Sequence, residues 1–194
     1  LILPLVVLSL LAFLSVSYFG ARNFQAQQRQ FAFSLASTVD NYLDEASRGL
    51  DALGRAADTS IASGAQHGRH LESYMDATWV AYGYFDALYR LDAHGVITAL
   101  VPYDPLYYGL DMSYQPYFQQ APDWPYVAIS QPFTSLRTGQ PTVYMIRTLR
   151  DGGMIVGELS LDTLQTNITA RYSAPSTGLI FIADRSGTLL AHPQ

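Results

Sequence analysis

The stretch YGYFDALYRLDAHGVITALVP (residues 82–102) decides the fold class of this 194-residue chain. Its apolar residues alternate with others on both sides of Asp92-Ala93-His94-Gly95, which is the pattern of a strand, a tight turn and a second strand. Residues 125–161 add three more segments of strand type, PYVAISQPF, PTVYMIRTLR and MIVGELSL, separated by turns that contain glycine. A short helix is expected to begin at Asp162 as its N-cap. With the helices upstream, these segments predict an α+β fold built on an antiparallel sheet.

The first 21 residues carry no charged side chain. As a helix, about 20 residues span roughly 30 Å, the hydrocarbon thickness of a bilayer. Tyr18 and Phe19 stand where an interfacial aromatic belt would lie, and they occupy positions at which signal-peptide cleavage requires small side chains. We therefore predict a transmembrane helix over residues 1–21, with a cleaved signal peptide as the alternative.

Residues 22–60 are predicted to form a long amphipathic stalk helix, because apolar residues recur there at steps of three, four and seven. Two interpretations stay open. The helix packs only on its own domain, or it also pairs with the same helix of a second copy and makes the chain a homodimer. A shorter helical segment, LESYMDATWVAY (residues 71–82), follows a break rich in small residues.

Composition excludes several classes of function. The formal charge is −5, and the 11 basic residues are all arginines and form no run, so nucleic-acid binding is not expected. The absence of cysteine excludes disulfide scaffolds, thiolate metal sites and cysteine nucleophiles. His67 and His70 are expected in a solvated loop without a third metal ligand. Because no phosphate-loop, dinucleotide-binding or serine-hydrolase motif occurs, we predict no enzymatic activity, no cofactor and no metal site.

A second hairpin of the same plan lies near the end of the sequence. Residues 179–193, LIFIADRSGTLLAHP, repeat the order of apolar strand, D-x-x-G turn, apolar strand and proline, with Asp184 in the place of Asp92. The repeat predicts two tandem modules of one type, a first over residues 61–170 and the beginning of a second over residues 171–194, which we expect to continue beyond Gln194. Chance similarity between two common hairpins is the alternative.

The stretch GLDMSYQPYFQQA (residues 109–121) is the candidate ligand-binding segment. Asp111 or Ser113 is expected to cap a short helix that has Pro116 in its first turn. Such a helix, lying over a sheet, closes a pocket with aromatic walls and with hydroxyl and amide groups for hydrogen bonding. Phe118 has no polar group and is expected to fill the core. The residues predicted to bind a ligand, on this segment and on the strands beside it, are Tyr114, Gln115, Tyr117, Trp124, Tyr126, Tyr144, Arg147 and Glu158.

Four motifs make the chain resemble the double Cache domains, which are PAS-like extracytoplasmic sensor domains of bacterial receptors. The motifs are GLDMSYQPYFQQA, ISQPFTSLRTGQPTV (residues 129–143), MIVGELSLDTL (residues 154–164) and GLIFIADRSGTLLAHP (residues 178–193). In order and spacing they are similar to the family's G-x-D-x-S-x-x-x-[YF]-F helix, its S-x-x-[FY]-x-S-x-x-T-G-x-P-x-V hairpin and its V-G-x-L-x-L-D-x-L strand. The resemblance implies that residues 61–170 are a membrane-distal Cache module and that the second module is membrane-proximal.

The resemblance also implies a function. A domain of this family binds a small molecule outside the cytoplasm and signals through its stalk helix to an output module, such as a histidine kinase, a diguanylate cyclase or a chemotaxis signalling domain. The implied location is the inner membrane, with the sensor domain in the periplasm. Two other functions stay open, which are a membrane-anchored dimerisation module without a ligand and a secreted enzyme or binding protein.

The expected ligand class follows from a departure from the family pattern. Amino-acid-binding members hold the ligand carboxylate with an arginine, whose place is taken here by Gln115, and the amine with an aspartate, to which Glu158 is nearest. Glutamine cannot form a bidentate charged pair. An amine or an organic acid, held by Glu158 or Arg147, is therefore the ligand class that the sequence leaves open.

Overall fold

The computed structural model describes the backbone of residues 2–62, 67–120, 126–171, 182–183 and 189–191. The chain divides into two units, Leu1–Asn41 and Tyr42–Gln194. The first unit consists of the N-terminal part of helix α1 (Ile2–Ala62). Over the residues described, none of the helices combines the length and hydropathy that crossing a bilayer requires, so the membrane helix predicted over 1–21 is not shown.

The second unit contains the C-terminal part of α1, which packs through one apolar stripe. Ala46, Leu50, Leu53 and Ala57 are buried, and their spacing of four, three and four residues places them on one side of the helix. The helix predicted over 22–60 is thus helical throughout and ends at Ala62. Near this stripe the Tyr42 hydroxyl donates a hydrogen bond of 2.7 Å to the Ser160 carbonyl.

The hairpin that decided the fold class is confirmed as β1 (Phe85–Leu91) paired antiparallel with β2 (Ile97–Val101). The Asp92 carboxylate accepts the backbone N–H groups of His94 (2.8 Å) and Val96 (2.9 Å) and so closes the turn. Gly95 has a φ of 87°, in the left-handed region that favours glycine.

The remaining strands complete one main sheet and two small ones. In chain order they are β3 (Val127–Ile129), β4 (Phe133–Thr134), β5 (Pro141–Thr142), β6 (Tyr144–Thr148), β7 (Met154–Leu159), β8 (Ile182–Ala183) and β9 (Leu189–Ala191). The five-stranded antiparallel sheet has the order β2-β1-β7-β6-β3, whereas β4 pairs with β5 and β8 with β9. The predicted strand PYVAISQPF is therefore divided into β3 and β4, and the predicted strand PTVYMIRTLR into β5 and β6. The division arises because β4 and β5 leave the main sheet and pair with each other. The pairing of β8 with β9 agrees with the second hairpin, although the Asp184 turn lies outside the described residues.

Two of the other helices begin at different residues from those that the sequence predicts. Helix α2 (His67–Tyr82) starts four residues earlier than expected, so His67 and His70 lie in a helix and not in a loop. Helix α4 (Leu161–Arg171) begins before Asp162, and the Ser160 hydroxyl caps it by accepting the Thr163 N–H at 3.3 Å. Helix α3 (Pro116–Gln119) has one turn only.

The two faces of the main sheet carry different side chains. On β6, Tyr144 and Ile146 point to one face and Met145 and Arg147 to the other, because side chains alternate along a strand. We call the first the pocket face, since α3 lies over it, and the second the helix face, since Arg147 contacts α1 there. Glu158 of β7 is the cross-strand partner of Tyr144 and shares the pocket face.

Candidate functional site

The helix α3 forms the outer wall of the candidate site. Pro116 occupies its first turn, as expected, but its N-cap residue is Gln115, whose side chain makes no capping hydrogen bond. The prediction that Asp111 or Ser113 caps this helix is wrong. Asp111 instead accepts the Ser113 N–H at 2.8 Å and holds the turn before the helix.

A layer of aromatic rings lies between α3 and the sheet. Tyr144 stands at its centre, with ring centroids 4.7 Å from Tyr117 of α3 and 4.2 Å from Phe133 of β4. Tyr89 of β1 meets Tyr144 edge-on at 6.2 Å. Burial raises the pKa of Tyr117 and of Tyr144, so both hydroxyls stay protonated at neutral pH and are neutral hydrogen-bonding groups. The layer fills this part of the pocket face with the protein's own side chains.

A cavity of about 290 Å³ remains beside this aromatic layer. It is bounded by α3 on one side and by β3, β6 and the segment from Ser130 to Phe133 on the other. The residues that line it are Gln115, Pro116, Tyr117, Gln120, Ala128, Ile129, Ser130, Gln131, Pro132, Phe133 and Ile146. Ala128 and Ile146 are cross-strand partners, so together they form the floor of the cavity. Apolar walls with a few amides and hydroxyls are the usual composition of a small-molecule site.

A buried carboxylate lies behind the aromatic layer. The Glu158 side chain is 1% exposed, and its Oε2 accepts a hydrogen bond of 2.9 Å from the Tyr89 hydroxyl. Its Oε1 is buried and has no hydrogen-bond partner. Burial raises the pKa of Tyr89, the Glu158 charge raises it further, and Arg137 acts in the opposite direction through its charge and a hydrogen bond. Glu158 does not line the cavity.

A groove of about 790 Å³ lies on the helix face, between α1 and the strands β3 and β6. Arg147 crosses its floor, and its Nε donates to Asp51 at 2.9 Å and its Nη1 to Asp58 at 3.0 Å. Both aspartates belong to α1, and Arg55 also pairs with Asp51. A Cβ atom at Gly54, between the two aspartates, would lie 2.2 Å from the Arg147 Cδ. Arg147 and the two aspartates thus join α1 to the sheet, while Arg48 and Arg150 also line the groove.

Four of the residues predicted to bind a ligand come together on the pocket face. Gln115 and Tyr117 line the cavity, and Tyr144 and Glu158 are buried next to it. The sequence analysis predicted one shared site for these four side chains, and the structure brings them to neighbouring positions on one face of the sheet.

Three of the other four do not join them. Arg147 and Tyr126 line the groove of the helix face, and Tyr114 is 61% exposed and absent from the cavity lining. Trp124 lies outside the described residues. The alternation of side chains along β6 explains why Arg147 lies on the helix face, because a residue three positions from Tyr144 faces the opposite side of the strand.

Sequence reasoning missed two groups of residues. Phe133 and Ala128 of the cavity had no signal beyond strand propensity, since their role depends on the pairing of short strands. The pattern Asp51-x-x-Gly54-x-x-x-Asp58 carried a usable signal, because two acids seven residues apart lie on one side of a helix with a glycine between them. Among the described residues, no three acidic or histidine side chains are grouped so that they could hold a metal.

Comparison with known proteins identifies the fold. The ligand-binding domain of the Campylobacter jejuni chemoreceptor Tlp3, in complex with 4-methylisoleucine, matches 84% of this chain with a TM-score of 0.66 at 14% identity. The domain of the Pseudomonas aeruginosa PAO1 amino-acid chemoreceptor PctC, in complex with GABA, matches 84% with a TM-score of 0.61 at 20% identity. The extracellular domain of the putative histidine kinase rpHK1S-Z16 matches 76% with a TM-score of 0.63 at 20% identity.

The chain therefore has the fold of the Cache-type, PAS-like ligand-binding domains of chemoreceptors and histidine kinases. At these identities the comparisons establish the fold alone. The chain spans 67% of the Tlp3 domain, 74% of the PctC domain and 61% of the kinase domain. No protein-family model matches the sequence, and a comparison with curated proteins returns no similar sequence.

Proposed function

We propose that this chain is the sensor part of a bacterial receptor and that it binds a small molecule in the cavity between α3 and the sheet. The observation that supports this most directly is the cavity of about 290 Å³ beside the ring layer of Tyr117, Phe133 and Tyr144. It lies in a fold whose solved examples include chemoreceptor domains in complex with 4-methylisoleucine, L-valine and GABA. The size approaches the lower end of the usual range for ligand sites.

The test is to block the cavity without removing core contacts. Ala128→Trp adds a large side chain to the cavity floor, opposite Ile146. A compound present at about 100 times its Kd stabilises a protein by roughly 2.7 kcal/mol, which for a domain of this size raises Tm by about 5–10 °C. We expect the dialysable fraction of yeast extract, or a metabolite panel, to raise the Tm of the unmodified chain and not that of Ala128→Trp.

Thr98→Trp is the matched control, because Thr98 lies on an exposed position of β2, away from the cavity. It should keep the full ligand-dependent shift. The proposed site is wrong if Ala128→Trp keeps the shift as well, and the sensing function is wrong if no compound stabilises the unmodified chain.

We further propose that the domain is anchored in the inner membrane, faces the periplasm and acts as a homodimer through residues 22–60. The uncharged residues 1–21 support the anchor, and the solved neighbours include an extracellular domain of a putative histidine kinase. The amphipathic stripe of residues 22–60 supports pairing of two copies. Ligand binding under α3 would then reach the output module as a small displacement of the stalk helix.

Cell fractionation tests the anchor. The tagged chain should sediment with membranes, resist extraction at high salt, and be cleaved by protease added to spheroplasts. A version that starts at Arg22 should leave the membrane fraction. Recovery of the complete chain in the soluble periplasmic fraction would contradict the anchor and would leave the cavity proposal standing.

A further inference from the structure

The cavity beside α3 is lined without any charged side chain among the residues that the structure describes. Its polar groups are three glutamine amides and the hydroxyls of Tyr117 and Ser130, and the other lining side chains are apolar. From this lining we infer that the compound bound here is uncharged and carries hydrogen-bonding groups of the amide or hydroxyl kind. The inference rests on the proposed function and names the ligand class of that site.

The amide of Gln115 is the group best placed to hold such a compound. Gln115 is the N-cap residue of α3, yet its side chain is not used for capping. By contrast, the Ser130 hydroxyl is already committed, since it donates to the Gln131 carbonyl at 2.8 Å and accepts the Tyr144 N–H at 2.9 Å. An amide offers both a donor and an acceptor, so Gln115 pairs with another amide, a lactam or a hydroxyl without any charge.

Among the residues that the structure describes, the charged side chains that were expected to hold a ligand do not line the cavity. Glu158 and Arg137 do not line it, although the Glu158 Oε1 has no hydrogen-bond partner and only its Oε2 accepts from the Tyr89 hydroxyl, at 2.9 Å. Arg147 lies on the helix face, where Asp51 and Asp58 hold it. The sequence left open two ligand classes, an amine or an organic acid, which were expected to be held by Glu158 or Arg147. Neither side chain is among the described residues that line the cavity, so neither provides a counter-charge there.

A charged ligand group would therefore find no side chain of opposite charge among the described residues that line the cavity. Burying an unpaired ion is far less favourable than burying an amide or hydroxyl that keeps its hydrogen bonds. The volume sets the size of the compound as well. At about 290 Å³ the cavity lies at the lower end of the range for small-molecule sites, so the compound is small.

The experiment separates possible ligands by charge. The dialysable fraction of yeast extract is divided by strong cation and anion exchange into a neutral pool, which passes both resins, and retained cationic, zwitterionic and anionic pools. Each pool is tested by thermal shift on the unmodified chain and on Ala128→Trp. We expect the neutral pool alone to raise the Tm of the unmodified chain, by about 2–4 °C or more, and to leave Ala128→Trp unchanged.

Each result of this thermal-shift experiment either supports the neutral ligand class or overturns it. A shift caused by a retained pool and abolished by Ala128→Trp overturns the neutral ligand class and leaves the proposed function intact. If no pool shifts the Tm, or if the neutral-pool shift persists in Ala128→Trp, the proposed site fails together with this inference. Gln115→Glu supplies the second variant, because it keeps the shape and adds a charge. We expect it to weaken binding of the purified neutral compound about tenfold or more, and unchanged affinity would overturn the role of Gln115.

Discussion

The two faces of the sheet place their buried charged groups in different surroundings, although one strand, β6, contributes to both. On the helix face Arg147 is 1% exposed, and its guanidinium bonds two carboxylates of α1. On the pocket face Glu158 is equally buried, but one of its oxygens has no partner and a cavity lies nearby. Each face keeps one buried atom without a hydrogen-bond partner, the Glu158 Oε1 on the pocket face and the Arg90 Nη1 on the helix face. The helix face differs in that Arg147 joins α1 to the sheet, whereas the pocket face borders a cavity. The helix face thus fixes α1 on the sheet, and the pocket face borders the cavity in which we propose that a ligand binds.

The largest expected effect breaks the helix face. Arg147→Val leaves Asp51 and Asp58 buried or half-buried without the guanidinium that now pairs them. Removal of one partner from a buried ion pair costs about 3–5 kcal/mol. Urea denaturation should therefore show a loss of this size in the free energy of unfolding. A loss below about 1 kcal/mol would mean that the cluster contributes little and that the contrast between the faces is misjudged.

Gly54 provides the control for this prediction. In the unmodified chain Gly54→Ala should be destabilising, because the new Cβ would lie 2.2 Å from the Arg147 Cδ. In the Arg147→Val background the stem of the arginine is gone, and Gly54→Ala should then be stabilising by up to about 1 kcal/mol through helix propensity. The sign change identifies the contact, since a general weakening of α1 would give the same sign in both backgrounds.

The sequence predicted the hairpin and α1 well, because their signals are local. Period-two alternation with Asp92 and Gly95 suffices for β1 and β2, and a stripe of apolar residues suffices for α1. The difference between the two faces depends on contacts between residues that are far apart in the chain. Arg147 is 96 residues from Asp51 and 89 from Asp58, so alternation could separate Arg147 from Tyr144 but could not say what each would meet.

The candidate site was predictable only in part for a related reason. The aromatic and amide residues of 109–121 indicated a pocket, and Gln115 and Tyr117 do line one. The opposite wall depends on where β3 ends and β4 begins, and this is set by the pairing of β4 with β5, outside the main sheet. Strand breaks of this kind arise from tertiary pairing and leave no periodic signal in the sequence.

A smaller effect sharpens the description of the pocket face. Tyr89→Phe removes the hydroxyl that donates to the Glu158 Oε2, and Oε1 has no hydrogen-bond partner in the unmodified chain. A buried acceptor that loses its partner costs about 1–3 kcal/mol. The double variant Tyr89→Phe, Glu158→Leu removes both polar groups and should recover most of the loss in a urea titration. If the double variant is less stable than Tyr89→Phe, Glu158 contributes through a contact other than Tyr89.

The smallest effect is expected outside both faces, in the β1–β2 turn. Backbone N–H groups, that of Val96 before that of His94, hold the pKa of Asp92 below its ordinary value of 3.8. A carboxylate with a lowered pKa stabilises the fold above its unfolded-state pKa, and the contribution disappears as pH falls through the folded-state value. Asp92→Asn keeps one acceptor oxygen and loses only the charge, and the side chain is 38% exposed. The Tm difference between the two proteins should thus correspond to a few tenths of a kcal/mol at neutral pH and disappear as pH falls through the folded-state pKa of Asp92. A difference that persists in acid would show that the asparagine alters the geometry of the turn itself.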